Sequence, residues 1–153
     1  MTTQGTESIT IQAAPDVVWP WIADLGKHAA WSPKPYKVDL VSGEPGTVGA
    51  RYRSVGVIPG DKDHANDVEI TEVVPGQRFV LVGSDANGPH QNIYTLRPSG
   101  TGAEVTHQLI FPEMKGVGKV LLPVLFPLVG KSDMRKRLGL LKTAIETQQA
   151  GPA

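Results

Sequence analysis

The sequence contains no cysteine, which excludes a disulfide framework, a thiol nucleophile and a thiolate metal site. It also lacks an excess of either charge, since 15 basic residues balance 15 acidic ones. A long apolar run is missing as well: the longest, Val117 to Val129, is interrupted by Lys119, Pro123 and Pro127 and is too short to span a bilayer. Without a strong field or a membrane span, we expect no nucleic-acid partner and no stable membrane insertion.

The chain has the size and composition of one globular domain. Of its 153 residues, 40% are hydrophobic and 20% are charged, and no linker or repeat divides them. We therefore predict a single domain over 1–153, with a core from about residue 7 to 147. Met1 to Ser8 carry neither basic charge nor an apolar core, so we expect no signal peptide and a cytoplasmic location.

Most of the chain alternates short extended segments with turns. Polar and apolar residues alternate over Glu7–Ile11, which predicts a half-buried strand. Pro15 then opens a helix with a stop near Gly26, and Pro20 predicts a kink or a break into two short helices. Turns at 58–61 and 85–89 separate the later strands. These strands are predicted at 38–41, 50–57, 67–74, 78–82, 90–97 and 103–111.

The C-terminal region predicts one long helix. Four apolar residues at intervals of four, three and four form one buried face: Met134, Leu138, Leu141 and Ile145. The basic residues between them are predicted to face solvent: Arg135, Lys136, Arg137 and Lys142. The order of elements indicates an α+β fold, in which a curved antiparallel sheet of about six to seven strands wraps around this helix. One helix seldom fills such a sheet, so we also expect a cavity between them.

An ordered set of short segments from Ser8 to Glu146 resembles the polyketide cyclase/dehydrase-like branch of the SRPBCC superfamily. The first has a strand, a small-Pro-acidic step and an aromatic residue on the first helix. The segments are 9–19, 23–25, 31–33, 48–52, 68–79, 102–107 and 141–146. The resemblance implies a helix-grip fold, shared with START lipid-binding domains and the major birch pollen allergen. It also implies an apolar ligand in the cavity, but no fixed catalytic set and no cofactor.

Strand parity places polar side chains in this cavity. His107 shares a face with Val105, Leu109 and Phe111, and is therefore predicted to point inward. On the preceding strand, Asn92 and Tyr94 share the inward face of Leu96, whereas His90 beside the turn is expected to be exposed. His107 and Tyr94 have three possible roles: an internally satisfied contact, a ligand contact, or an acid/base pair for enolisation. They are the only catalytic candidates, and the catalytic residue remains open.

Further residues are predicted to line the cavity. Trp31 and Tyr36 flank the first connection, which lies near the cavity mouth in the fold that the resemblance implies. Tyr52 and Ser54 are predicted to point inward because Arg51 and Arg53 prefer water. The full predicted ligand-binding set is Trp31, Tyr36, Tyr52, Asn92, Tyr94, His107, Phe111, Leu121, Leu125, Met134 and Leu138.

Two polar clusters suggest other sites but do not complete them. Asp61, Asp63 and His64 have a metal-like spacing, yet no second histidine is placed to finish a site, so a solvated loop and no metal are predicted. The run Arg135-Lys136-Arg137 is interpreted as the wet face of the last helix.

The apolar segment 117–129 has three interpretations: a mobile lid, padding buried beneath the cavity, or a membrane contact. Pro123 and Pro127 favour a bent element over a flat interfacial helix. We favour a segment that both pads the cavity and acts as its gate, and we rank membrane docking below this interpretation. Oligomeric state is also open between monomer and homodimer, because 38–41 is either a solvated or a paired edge strand.

The sequence supports two functional hypotheses. The main one is binding of an apolar small molecule of lipid, polyketide or isoprenoid type, because few polar groups point inward and no catalytic triad or metal site is assembled. The alternative is a cofactor-independent polyketide cyclase, aromatase or dehydratase that uses His107 or Tyr94.

Overall fold

A computed structural model describes residues 3–58, 60–85 and 88–150. Seven antiparallel strands form one sheet: β1 (Thr3–Ile11), β2 (Lys37–Ser42), β3 (Arg51–Ile58), β4 (Asp61–Val74), β5 (Arg78–Asp85), β6 (Gly88–Ser99) and β7 (Gly102–Phe111). Their spatial order is β1-β7-β6-β5-β4-β3-β2, so the first strand closes against the last and β2 lies at an edge. The seven-stranded sheet and the helix-grip architecture are confirmed.

Among the described residues, three α-helices accompany the sheet: α1 (Pro15–Ala23), α2 (Gly118–Leu125) and α3 (Lys131–Ala150). A 3₁₀ helix, Leu25–Trp31, follows α1, and a π-helical turn, Phe126–Gly130, joins α2 to α3. The predicted stop of the first helix at Gly26 is wrong, because Asp24 interrupts the helix and its carboxylate accepts the amide of Gly26. Pro20 lies inside α1, and the break falls after Ala23.

The buried face of α3 is confirmed by its accessibility. Met134, Leu138, Leu141 and Ile145 are between 0% and 3% exposed. A fully buried leucine or isoleucine contributes about 1.5–3 kcal/mol relative to an exposed one, so this stripe fixes α3 against β1 and the 3₁₀ helix. The core continues through Ile11, Val18, Ile22, Trp31, Phe79 and Val105. This packing fills one end of the space between the sheet and α3.

The prediction of a solvated loop around Asp61 and His64 is wrong. The β3–β4 hairpin continues to the Ile58–Asp61 pair, and Gly60 adopts a φ of +86° at the reversal, where a residue with a side chain would be strained. His64 consequently lies on β4, opposite Gly56. Residues 59, 86 and 87 of the predicted turns lie outside the described residues. Within the described part of the chain, no helix is long and apolar enough to cross a membrane.

Candidate functional site: an internal cavity

A cavity of about 460 Å³ occupies the end of the domain that the core leaves open. Five adjacent strands, β3 to β7, form its floor, and α2, the π-helical turn and the first turns of α3 form its roof. Apolar lining residues come from both sides: Val68, Leu81, Leu109, Phe111, Met114, Leu121, Leu122, Leu125, Phe126 and Met134. The predicted cavity is therefore present, but its polar lining is richer than the sequence pattern indicated.

At the inner end of the cavity, Tyr94 and His107 pack face to face. Their ring centroids are 4.3 Å apart and their planes differ by 8°. The pair lies in register on β6 and β7, and both side chains are 3% exposed. Nε2 of His107 lies 2.8 Å from Oδ1 of Asn92, whereas Nδ1 is buried with no hydrogen-bond partner among the described residues. The inward orientation predicted from strand parity is confirmed for both residues.

Burial determines the protonation of these two groups. It lowers the pKa of His107 to about 3, and the charges of Arg137 and His28 act in the same direction. It raises the pKa of Tyr94 to about 12, against the opposing effect of Arg137. At neutral pH the cavity therefore holds a neutral imidazole and a protonated phenol.

His28 adds a second buried imidazole from the 3₁₀ helix. Its Nε2 donates to the carbonyl oxygen of Ile22 at 2.8 Å, because a carbonyl can only accept. The ring lies 4.5 Å from the centroid of Trp31 and 5.8 Å from that of Tyr94. Burial lowers the pKa of His28 to about 4 although the Ile22 bond opposes this, so His28 is also neutral at pH 7.

Arg137 reaches the cavity from α3. Its guanidinium carbon is 5.9 Å from the ring centroid of Trp31 and 5.9 Å from that of Tyr36. The predicted solvent-facing position of Arg137 is therefore wrong: the residue is half-buried and lines the cavity, whereas Arg135 and Lys136 are exposed. The physical reason is helical spacing, since position 137 is three residues after Met134 and four before Leu141.

The outer end of the cavity contains a histidine–carboxylate cluster. Nε2 of His64 lies 2.6 Å from Oδ2 of Asp85, and Nδ1 lies 3.2 Å from Oδ2 of Asp61. Both ring nitrogens of His64 thus have carboxylate partners. Among the described residues, no group of three or more side chains is suited to hold a metal ion. His90 lies over Gly83 nearby. The predicted exposure of His90 is wrong, because the residue is half-buried and lines the cavity. Burial lowers the pKa of His90, although Asp85 opposes this.

The segment 117–129 forms a thin wall with two apolar faces. Leu121, Leu122 and Leu125 line the cavity, but α2 has no fully buried residue. Val120 and Val124 are 71% and 61% exposed on the outer side. The interpretation of α2 as buried padding is therefore wrong. Within 117–129 only Phe126 is buried, at 4% exposure, and its ring packs against that of Phe111, with 5.5 Å between the centroids.

The structure separates the predicted ligand-binding residues into two groups. Those that line the cavity are Tyr36, Asn92, Tyr94, His107, Phe111, Leu121, Leu125 and Met134. Trp31, Tyr52 and Leu138 do not line it and belong to the buried core. Trp31 packs behind the rings of His28 and Tyr94. The hydroxyl oxygen of Tyr52 accepts a hydrogen bond from the backbone N–H of Gly46 at 3.1 Å. These three residues lie behind the lining of the cavity, and their role in ligand binding stays a prediction.

The predicted set omitted several polar lining residues, although patterns for them exist. Leu25, His28 and Trp31 are buried at intervals of three, which is the period of a 3₁₀ helix. His64 and Asn66 share the parity of the buried Val68 and Ile70 on β4. The missing residues are His28, Lys34, Ser54, His64, Asn66, Asp85, His90, Asp133 and Arg137.

Comparison with known proteins agrees with this architecture. The family model described as "Polyketide cyclase / dehydrase and lipid transport" matches residues 2–146. The chain belongs to that family. No curated protein matches it. Membership of the polyketide cyclase/dehydrase and lipid transport family covers a broad range of activities, so the cavity has to indicate which applies.

Solved structures resemble this family member at low sequence identity, and they establish its fold alone. TTHA0849 from Thermus thermophilus has a TM-score of 0.76 at 17% identity, covering 95% of this chain and 99% of that one. The di-domain ARO/CYC StfQ from the steffimycin biosynthetic pathway has a TM-score of 0.77 at 14% identity, covering 99% of this chain and 53% of that one. Ara h 8.0201 has a TM-score of 0.74 at 13% identity, covering 96% of this chain and 99% of that one.

Proposed function

We propose that the protein binds an apolar small molecule, of lipid, polyketide or isoprenoid type, in the cavity between β3–β7 and the C-terminal helices. The observation that carries the proposal is the cavity of about 460 Å³ with an apolar lining and two buried acceptors inside or beside it. These acceptors, Nδ1 of His107 and Oδ1 of Asn66, have no hydrogen-bond partner among the described residues. A donor on the apolar body of a ligand, or a water molecule held in the cavity beside the ligand, satisfies them.

The energetics favour an apolar body. Burying about 300 Å² of apolar ligand surface contributes roughly 7 kcal/mol at about 25 cal/mol per Å². Association costs of about 4 kcal/mol or more reduce this gain, so apolar contact alone supports weak binding. Polar contacts to the inner end of the cavity supply the additional affinity and the orientation of the ligand.

Titration with N-phenyl-1-naphthylamine, a neutral apolar fluorophore, tests the cavity. We expect saturable binding with one site per chain, and we expect Leu109→Trp to abolish it by filling the cavity. Val41→Trp is the control, because Val41 is 65% exposed on the edge strand β2. Equal binding by both variants would place the probe outside the cavity and contradict the proposal. Native mass spectrometry of protein purified from cell extract then identifies any retained compound.

A second candidate function is a cofactor-independent cyclase, aromatase or dehydratase, in keeping with the family description. The observation that favours it is the open Nδ1 of His107 beside Tyr94. A general base must accept a proton, and a pKa of about 3 makes this unfavourable by about 5 kcal/mol at pH 7. Binding is therefore the better-supported function. Full turnover of a polyketide substrate by a His107→Ala variant would rule out His107 as the base.

The proposal includes no nucleic-acid partner, because the net charge is zero. Either a monomer or a homodimer is compatible with the exposed edge strand β2, and sedimentation equilibrium distinguishes them.

A further inference from the structure

The charged groups that line the cavity differ in whether they already have a partner. Lys34 pairs with Asp133 at 3.1 Å. His64 lies between Asp61 and Asp85, which satisfies that cluster internally. Arg137 is different: among the described residues no carboxylate forms an ion pair with its guanidinium, and no oxygen accepts a hydrogen bond from it.

The contacts of Arg137 that the structure shows are with two aromatic rings. A cation–π contact is made with the face of an aromatic ring and supplies no oxygen acceptor, so it leaves the five N–H donors of the guanidinium without an oxygen partner. The guanidinium carbon lies over the rings of Trp31, which is 0% exposed, and Tyr36, 5.9 Å from each centroid. The N–H fork therefore remains open while the side chain lines the cavity.

Arg137 carries the positive charge at the inner end of the cavity, because the two histidines there are neutral at pH 7. Burial, with a smaller contribution from the charge of Arg137, lowers the pKa of His28 and of His107, so these groups supply no further positive charge at neutral pH. One open cation matches a monoanion, whereas a phosphate dianion requires additional cations. A planar fork of N–H donors matches the two coplanar oxygens of a carboxylate.

We propose that the ligand is an amphipathic carboxylic acid whose carboxylate pairs with Arg137 and whose apolar body lies along Leu81, Leu109 and the inner face of α2. This inference rests on the proposed binding function and specifies its ligand class. It makes Arg137 the residue that selects the acid over neutral molecules of the same shape.

Two matched probe pairs test the inference by isothermal titration calorimetry at pH 7.5: naphthalene-2-carboxylate with naphthalene-2-carboxamide, and decanoate with 1-decanol. We expect the acid in each pair to bind the wild-type protein at least tenfold more tightly. We expect Arg137→Met to reduce the affinity for each acid to that for its neutral partner. Lys136→Met is the matched control, since Lys136 is the adjacent, exposed cation on α3, and it keeps the preference.

The outcomes distinguish the two levels of the proposal. If the neutral probes bind the wild type as tightly as the acids, the cavity binds ligands and the carboxylate inference is wrong. The same conclusion follows if Arg137→Met retains the preference. If neither probe pair nor the neutral fluorophore binds, the binding function itself fails. The comparison of probes on the wild type remains decisive even if Arg137→Met does not fold.

Discussion

Tyr94 and His107 are stacked, with ring centroids 4.3 Å apart and an angle of 8° between their planes. Parallel rings direct their polar atoms along the two ring planes, so this packing is not a phenol–imidazole hydrogen bond. The polar partner of His107 is instead Asn92, which lies on the same strand as Tyr94. The two residues therefore form the inner wall of the cavity, and His107 presents an imidazole whose protonation burial disfavours.

The tautomer of His107 follows from this arrangement. Because the amide oxygen of Asn92 accepts from Nε2, the neutral ring carries its proton on Nε2 and leaves Nδ1 as an acceptor. We expect ¹⁵N-edited NMR to show this Nε2–H tautomer and to detect no protonation of His107 between pH 8 and 5. Asn92→Leu removes the acceptor and is expected to give a mixture of tautomers. Protonation with a midpoint near pH 6.5 would contradict the buried, neutral assignment.

Acid destabilises the protein through His28 and His107. Burial lowers both pKa values, to about 4 and about 3, from an ordinary value of 6.5. The unfolded chain therefore binds more protons below pH 6.5, so the stabilisation is complete above that pH and is lost as pH falls towards 3–4. Each histidine contributes a slope of up to about 1.4 kcal/mol per pH unit in this window.

Urea unfolding between pH 7.5 and 4.5 measures this slope. We expect His107→Leu to lower it by about one proton relative to the wild type, and His28→Leu to do the same. The change in slope separates titration from packing, because lost contacts shift the free energy of unfolding equally at every pH. An unchanged slope in both variants would show that these imidazoles titrate normally in the folded state.

The fold could be predicted from the sequence because the patterns that determine it are local. Alternation at period two predicts the strands, and the spacing of Met134, Leu138 and Leu141 predicts the buried face of α3. The polar residues of the cavity were harder to predict, since their position depends on where strands and helices begin and how they pack. His64 was assigned to a loop because the segment around Asp61 and Gly60 has turn composition, although pairing with β3 extends the strand through it.

Arg137 shows that the position of a helical side chain is equally hard to predict from the sequence. It stands in a basic run, and composition alone assigns all three residues of that run to solvent. Its side chain lies at the margin of the apolar stripe, where Trp31 and Tyr36 from a separate segment provide aromatic surfaces. Only tertiary packing distinguishes Arg137 from Lys136.

The two faces of α2 are expected to respond differently to substitution by serine. Leu121 and Leu125 line the cavity, whereas Val120 and Val124 face outward. We expect the double variant Leu121→Ser/Leu125→Ser to weaken binding of the neutral fluorophore by at least tenfold, because it places hydroxyls against the apolar body of the ligand. The double variant Val120→Ser/Val124→Ser is expected to keep the equilibrium affinity.

Stopped-flow binding extends this comparison to the gate hypothesis. If α2 opens during ligand uptake, the inner-face variant changes the association rate constant as well as the affinity. An association rate constant equal to the wild-type value in the inner-face variant, with only dissociation altered, would show that α2 is a static wall.

Two glycines near the roof predict stability changes of opposite sign. A Cβ at Gly130 would overlap the ring of Phe126, the buried anchor between the roof and Phe111, whereas a Cβ at Gly139 on α3 meets nothing within 4 Å. Gly139→Ala is therefore expected to stabilise the protein by about 1 kcal/mol through helix propensity, which raises Tm by roughly 2–4 °C. Gly130→Ala is expected to lower Tm despite the same gain in propensity, because Phe126 must leave its site. Thermal unfolding by circular dichroism measures both. If Gly130→Ala raises Tm as much as Gly139→Ala does, Phe126 does not anchor the roof. Because Phe126 is the only buried residue among the described residues of 117–129, α2 would then have no buried attachment to the domain.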